Sequence, residues 1–145
     1  MRDLPRQLSV EELSELFEGR TPLVERLAEV ENPLEHAESV LESLSDEQKV
    51  QALSAHPAIG ARNLSARSAA EQGTDAEPAI LSEIAYQNQV YEEKFGFRFV
   101  VFVDGRPKRE ILAVLAERIG RTREEELDTG CRELVAIARD RWTRT

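Results

Sequence analysis

The chain has 145 residues, of which 41% are hydrophobic and 32% are charged, and its formal net charge is −9 at pH 7. This length indicates a single domain, residues 1–145, because domains commonly span about 100–200 residues. The acidic balance argues against a nucleic-acid partner and against binding to anionic membranes, since both carry negative charge.

The sequence also predicts where the protein works. No apolar run approaches the roughly 18 residues of a membrane span, and the first residues lack the apolar core of a signal peptide. Cys131 is the only cysteine, so an internal disulfide is excluded, and such a composition is typical of a reducing compartment. We therefore expect a cytoplasmic protein without a membrane partner.

Cap residues and prolines predict four helices in the first part of the chain. Ser or Thr followed three residues later by Glu or Gln is the capping-box pattern, and proline is tolerated in the first turn of a helix. The predicted starts are Ser9 with Glu12, Thr21 with Pro22, Asn32 with Pro33, and Ser45 with Gln48. The fourth helix is predicted to end before His56, because Pro57 restricts the backbone of His56 to an extended conformation.

Helical periodicity continues in the second part of the chain. A long helix over residues 78–95 has Pro78 in its first turn. Another helix ends at Gly120, and Thr122 with Glu125 opens a last helix to about Trp142. The inner face of that last helix is predicted to carry Leu127, Cys131, Leu134 and Ala138. The pattern predicts an all-α, compact domain of roughly seven to eight short amphipathic helices.

The stretch FGFRFVVFVDG, residues 95–105, departs from helical periodicity. Aromatic and β-branched residues alternate along it and Asp-Gly closes it, which is typical of a strand. The sequence offers no second strand to pair with it, so residues 97–103 are expected to form an irregular apolar segment, either extended or helical. If the segment is extended, its backbone N–H and C=O groups are available to a ligand.

The two histidines differ in their setting. His36 lies off the apolar face of its predicted helix and is expected to be exposed and without a role. His56 ends a helix, so it is either a cap bonded to the last carbonyls or an active-site imidazole. The local pattern alone favours the cap.

Two other polar patterns have a structural and a functional interpretation. Ser68 with Glu71 either caps a short helix or, with Gln72, presents donors and acceptors to an amide-rich or anionic ligand. Asn88 falls on the apolar stripe of the long helix, where an amide must be hydrogen-bonded. We expect it to hold an irregular backbone such as residues 97–103. The two separated histidines and single cysteine provide no metal-ligand cluster.

Four segments in order resemble one enzyme family. AHPAIGAR, SAAEQ, NQVYEEKFGFRFVV and EILAVLAERIG are similar to the decarboxylases of 2-oxo-4-hydroxy-4-carboxy-5-ureidoimidazoline (OHCU), which act in urate breakdown. The shared pattern is a His-Pro pair, a Ser-x-x-Glu-Gln run, and Asn-x-x-Tyr leading into Lys-Phe-Gly-Phe-x-Phe-Val. Weaker similarity extends over nearly the whole chain.

The resemblance implies an all-α fold, a homodimer, and no metal or organic cofactor. The implied reaction removes CO2 from OHCU and gives (S)-allantoin, with His56 as proton donor. The implied substrate contacts are Pro57, Ser68, Ala69, Ala70, Glu71, Gln72, Phe99, Val100, Val101, Phe102 and Val103. The sequence does not commit any basic residue, Arg141 included, to the substrate carboxylate.

The residue types suit this chemistry. Loss of CO2 leaves a charge that preoriented donors must stabilise, and one face of a ring carbon must receive a proton. The unperturbed pKa of histidine, about 6.5, suits a proton donor. As a catalytic partner, Glu71 is expected to bind substrate N–H groups and to favour protonated His56. Two alternatives stay open: a related small-molecule enzyme with an altered substrate, and a non-catalytic helical binding module.

Overall fold

The computed structural model describes residues 2–59, 71 and 77–144. Within these residues the chain forms seven α-helices and no strand, which confirms the predicted all-α class. In chain order the helices are α1 (Val10–Phe17), α2 (Pro22–Leu27), α3 (Ala37–Ser43), α4 (Asp46–Ser54), α5 (Pro78–Phe95), α6 (Lys108–Ile119) and α7 (Arg123–Arg144). In these ranges no helix combines the length and the apolar character that crossing a membrane requires.

The predicted capping boxes begin helices because each satisfies backbone N–H groups that have no partner inside the helix. At α1 the Ser9 hydroxyl accepts from the Glu12 N–H at 3.1 Å, and the Glu12 carboxylate accepts from the Ser9 N–H at 3.0 Å. The same reciprocal pairing starts α4 at Ser45 with Gln48, and α7 at Thr122 with Glu125.

Helix α3 begins later than predicted. The sequence places its start at Pro33, but the helix begins at Ala37 and residues 33–36 form turns. Asn32 has a φ of 54°, a left-handed conformation that does not lead directly into a helix. Leu34 is nevertheless fully buried, so the predicted apolar face is correct although this residue precedes the helix. His36 is exposed, as expected.

Helix α7 organises one side of the domain. It packs against α1, α3 and α4, while α5 and α6 pack against each other. A Cβ atom at Gly130 of α7 would lie 3.2 Å from the Leu53 side chain of α4. Glycine at this position therefore allows α4 to approach α7 closely and fixes the end of α4 in the core.

Residues 97–103, between α5 and α6, form the irregular buried segment that the sequence predicts. The segment has neither helical nor strand structure. Gly96, with a φ of 81°, ends α5 in the left-handed conformation that glycine adopts readily. The rings of Phe97 and Phe99 then pack against Tyr91 of α5, with centroid distances of 6.0 and 5.3 Å. Aromatic packing therefore holds the segment against α5 in place of a strand ladder.

A buried ion pair network joins three helices, and we call it the Glu126 cluster (Tyr91, Arg118, Arg121 and Glu126). The Glu126 side chain is 0% exposed. It accepts hydrogen bonds from the Tyr91 hydroxyl at 2.7 Å, Arg118 Nε at 2.7 Å and Arg121 Nη1 at 2.9 Å. Burial, and then the hydrogen bond to Glu126, raise the pKa of Tyr91, so its hydroxyl stays a donor. The cluster ties α5, α6 and α7 together.

The end of α7 holds the first described residues. The indole Nε1 of Trp142 donates to the Asp3 carbonyl at 2.7 Å. The guanidinium of Arg2 lies over the same indole, 3.5 Å from the ring centroid. A hydrogen bond and a cation–π contact therefore dock this segment on α7.

Candidate active site

His56 lies just past the end of α4 with its ring buried. Its main-chain N–H donates to the Leu53 carbonyl at 3.2 Å, and the residue is 7% exposed. Among the residues that the structure describes, no group hydrogen-bonds to the ring Nδ1. The last carbonyls, of Ser54 and His56, accept instead from the guanidinium of Arg98. The prediction that the ring caps the helix is therefore wrong.

The surroundings of His56 favour its neutral form. Burial is the largest cause, followed by the positive charge of Arg141, and these lower the pKa of His56 to about 4. Arg98 acts in the same direction, whereas the negative charge of Glu18 opposes them. The ring is therefore neutral near pH 7. The charges that act on this pKa are those of Arg141, Glu18 and Arg98, so the expectation that Glu71 favours the protonated form stays a prediction.

The structure brings five of the predicted site residues around one small cavity. The cavity has a volume of about 10 Å³, about the space of one water molecule. Its walls are formed by His56, Ile59, Glu71, Val101, Phe102, Val103 and Ile137. Glu71 and Phe102 also line an adjoining depression of about 230 Å³, together with Asp104, Gly105, Asp140 and Arg144. His56 and Glu71 therefore line one cavity, and Glu71 and Phe102 also border the depression beside it.

The other predicted contacts lie elsewhere or outside the described residues. Phe99 and Val100 are each 1% exposed and belong to the core beside the cavity rather than to its wall. Pro57 is half-buried next to His56. Ser68, Ala69, Ala70 and Gln72 lie outside the residues that the structure describes. The contacts of these residues with a substrate stay predictions.

Arg141 is the residue at the site that the sequence did not commit to a role. Its guanidinium binds Glu71 through two nitrogens, with Nε–Oε2 at 3.0 Å and Nη2–Oε1 at 2.9 Å. Nη2 also lies 3.0 Å from Glu18 Oε1. We call these three residues the Arg141 cluster. The sequence does indicate that Arg141 is buried, because it follows Leu134 and Ala138 at helical spacing on the buried face of α7.

The irregular segment presents backbone groups at the cavity. The Val100 carbonyl accepts from Arg118 Nη1 at 2.8 Å, and the Phe102 N–H donates to the Glu133 carboxylate at 3.2 Å. Between them, the N–H and C=O of Val101 have no hydrogen-bond partner within the described parts of the chain. Val101 lines the cavity. Its N–H and C=O are therefore the backbone groups of this segment that we expect to bind a ligand.

Asn88 is buried and hydrogen-bonded, as expected, but to another segment. Its Nδ2 donates to the Ile59 carbonyl at 3.2 Å rather than to residues 97–103. Ile59 lines the cavity, so the amide holds the wall that follows His56. In the ranges that the structure describes, no three His, Cys, Asp or Glu side chains come together as metal ligands do.

The fold places the chain in a class of helical domains whose structures are solved. A crystal structure of OHCU decarboxylase in the presence of (S)-allantoin matches with a TM-score of 0.77 and 24% identity, covering 92% of this chain and 96% of that one. A crystal structure of (S)-allantoin synthase matches with a TM-score of 0.69 and 22% identity, covering 91% of this chain and 47% of that one. These likenesses concern the fold.

The chain belongs to the OHCU decarboxylase family, because the model of that family matches residues 2–143. This confirms the resemblance seen in the sequence.

Three relatives are similar over parts of their length. The 2-oxo-4-hydroxy-4-carboxy-5-ureidoimidazoline decarboxylase of Haloferax volcanii is 35% identical over 68% of this chain and 61% of that protein. A uric acid degradation bifunctional protein of Arabidopsis thaliana is 34% identical over 61% of this chain and 30% of that protein. The uric acid degradation bifunctional protein of Bacillus sp. is 28% identical over 87% of this chain and 27% of that protein. The aligned regions therefore span less than two thirds of each relative.

Proposed function

We propose that this protein decarboxylates OHCU to (S)-allantoin and CO2 in urate degradation. Membership in the OHCU decarboxylase family supports this activity. The observation that carries the proposal is that His56 and Glu71 line the same cavity, with the imidazole buried. Such a pocket provides a proton donor and a hydrogen-bond acceptor away from bulk water, as cofactor-free decarboxylation requires.

His56 is the proton donor in this proposal. When the bond between the ring carbon and the carboxylate breaks, CO2 leaves and its bonding electrons stay on the substrate as an enolate-like charge. A proton delivered from one side then sets the handedness of the product. Although the surroundings lower the pKa of His56, the carboxylate of the substrate beside the ring raises it again. Binding of the substrate therefore promotes protonation of its own acid.

Glu71 is the binding partner. The guanidinium of Arg141 holds the Glu71 carboxylate with two hydrogen bonds, so its oxygens are fixed in direction. A carboxylate accepts hydrogen bonds but does not donate them, which suits the N–H groups of a ureido substituent. Arg141 in turn holds the Glu71 carboxylate in place at the cavity.

The wall opposite these residues suits the ring of the substrate. The adjacent N–H and C=O of Val101 can pair with the donor and acceptor of a ring amide. The apolar side chains of Val101 and Val103 exclude water from the carboxylate that leaves. The cavity itself holds only about one water molecule, so the proposal requires Phe102 to give way as substrate enters from the adjoining depression.

The test is the decarboxylation of freshly generated OHCU by His56→Ala and Glu71→Gln. We expect the kcat of His56→Ala to fall by roughly 100- to 10,000-fold, because general acid catalysis contributes about that much. The matched control is His36→Ala, which removes the other, exposed histidine and should leave kcat unchanged. Circular dichroism of the allantoin formed reports its handedness.

Two results would contradict this proposal. A well-folded His56→Ala variant with a near-normal and stereospecific rate would remove the imidazole from the mechanism. Wild-type protein that leaves OHCU unchanged but turns over another ring amide would reject the substrate.

We further propose that the protein acts as a cytoplasmic homodimer. The single cysteine, Cys131, cannot form a disulfide within the chain, which is typical of proteins in a reducing compartment. Tyr86 on α5 is 61% exposed, which supplies apolar surface of the kind that subunit interfaces use. Sedimentation of wild type and Tyr86→Glu tests the assembly: the dimer should weaken in the variant, and a monomeric wild type contradicts the proposal.

A further inference from the structure

We propose that Arg98 is a positioning residue for His56, whose backbone its guanidinium holds in place. The inference rests on the proposed role of His56. Nη1 of Arg98 donates to the His56 carbonyl at 2.7 Å and to the Ser54 carbonyl at 3.1 Å. Holding the His56 carbonyl limits rotation of the peptide plane beside its Cα, and this fixes the direction in which the imidazole leaves the backbone.

The end of α4 explains why an outside donor is needed. The last carbonyls of a helix have no partner inside the helix. Pro57 carries no N–H, so it cannot bond one of them. The ring of His56 faces the cavity and does not bond them either. Arg98 therefore satisfies both carbonyls and leaves the imidazole free for chemistry.

Arg98 is itself held in place. It lies between two buried phenylalanines of the irregular segment, and its Nε lies 3.7 Å from the carboxylate of Glu92 on α5. The same segment continues to Val101 on the cavity wall. Through Arg98, the wall that faces the substrate and the loop that carries His56 are connected directly.

Charged groups from each packed element act on the imidazole. Arg141 of α7 and Arg98 of the irregular segment oppose its protonation, and Glu18, which follows α1, favours it. Glu71 faces the same cavity but is paired with Arg141. Removal of Arg98 is therefore expected to change the pKa of His56. Removal of an arginine that only stabilises the fold elsewhere is not expected to change it.

The experiment compares Arg98→Met, Arg98→Lys and a control, Arg139→Met. Like Arg98, Arg139 bonds two main-chain carbonyls, those of Leu34 at 2.8 Å and Glu35 at 3.2 Å, but away from the cavity. Proton NMR follows the titration of the His56 ring, since the chain has only two histidines and His56→Ala assigns them. Steady-state rates with OHCU are measured on the same samples.

We expect Arg98→Met to raise the pKa of His56 and to lower kcat about tenfold, with KM changed less than about threefold. Arg98→Lys keeps the charge and a donor, so it should restore the titration and part of kcat. Arg139→Met should lose thermal stability to a similar degree while its His56 titration and kcat stay as in the wild type.

Two results overturn the inference: a His56 titration in Arg98→Met that coincides with the wild type, or equal losses of kcat in Arg98→Met and Arg139→Met. The proposed function fails separately, if the wild type does not turn over OHCU. In that case the NMR titration still decides whether the Arg98 guanidinium acts on the imidazole.

Discussion

Two guanidinium–carboxylate clusters in the described part of the chain, the Glu126 cluster and the Arg141 cluster, have opposite compositions. In the Glu126 cluster, two arginines and a tyrosine hydroxyl surround one carboxylate that is 0% exposed. In the Arg141 cluster, two carboxylates that are 15% and 23% exposed flank one arginine that is 1% exposed. The first cluster lies between three helices, whereas the second borders the cavity that contains His56.

This difference in composition distinguishes a cluster that stabilises the fold from a cluster that presents a carboxylate at the cavity. Both oxygens of Glu126 are occupied by donors from the protein, so the carboxylate has little capacity left for a ligand. Among the described residues, Arg141 is the one donor to the Glu71 carboxylate, which remains partly exposed at the cavity. The same two residue types therefore stabilise the fold in one place and keep a carboxylate available in the other.

The largest effect is expected when the two carboxylates are neutralised in turn. Glu126→Gln leaves the buried Arg118 and the partly exposed Arg121 without this counter-charge, which should reduce the free energy of unfolding by about 3–5 kcal/mol. Glu71→Gln leaves Arg141 paired with Glu18 and should cost about 1 kcal/mol, as for a partly exposed ion pair, while abolishing most of the proposed decarboxylase activity. Urea unfolding and OHCU turnover measure both properties on each variant. Equal losses of stability would remove the distinction between the clusters.

The pH dependence of the unfolding free energy tests the surroundings of His56, which lies beside the Arg141 cluster. His56 has a pKa of about 4 in the folded chain and 6.5 when unperturbed. Between these values the unfolded chain binds more protons, so stability falls as pH falls through this window. Wild type should lose about 2 kcal/mol more than His56→Asn between pH 7 and pH 5. Parallel curves of unfolding free energy against pH for the two proteins would refute this expectation.

The smallest effect is expected inside the Glu126 cluster. Tyr91→Phe removes one donor from Glu126 but keeps the aromatic packing and both arginines, so the loss of stability should be about 1 kcal/mol. The exposed Tyr86→Phe serves as the control and should change the melting temperature very little. A loss as large as that of Glu126→Gln would mean that the tyrosine, rather than the arginines, holds the cluster together.

Much of the fold could be predicted from the sequence because its determinants are local. A capping box such as Ser9 with Glu12 satisfies the N–H groups of its own helix, so its effect needs no distant partner. The start of α3 was misplaced for the opposite reason. Pro33 and Leu34 fit a helix by pattern, but the left-handed backbone of Asn32 and the burial of Leu34 are set by tertiary packing.

The sequence predicts which residues lie at the site, but it does not predict their hydrogen-bond partners. His56 and Glu71 carry the family pattern, and the structure places both at one cavity. The partner of Glu71 is Arg141, which lies 70 residues away in sequence, and no local rule selects a partner at that distance. The same limit applies to Asn88, whose partner is Ile59 rather than the neighbouring segment. The direction of the His56 pKa shift is set by burial and then by the charge of Arg141, which lies 85 positions further along the chain and is equally beyond a local rule.

The docking of Trp142 on the Asp3 carbonyl gives the protein an intrinsic optical reporter. The sequence has a single tryptophan, so all indole fluorescence comes from this one contact between the first described residues and the end of α7. A red shift and altered quenching would follow if Arg2 and Asp3 left the indole while far-ultraviolet circular dichroism still showed intact helices. Emission can therefore distinguish local fraying of this segment from loss of the helical domain without any added label.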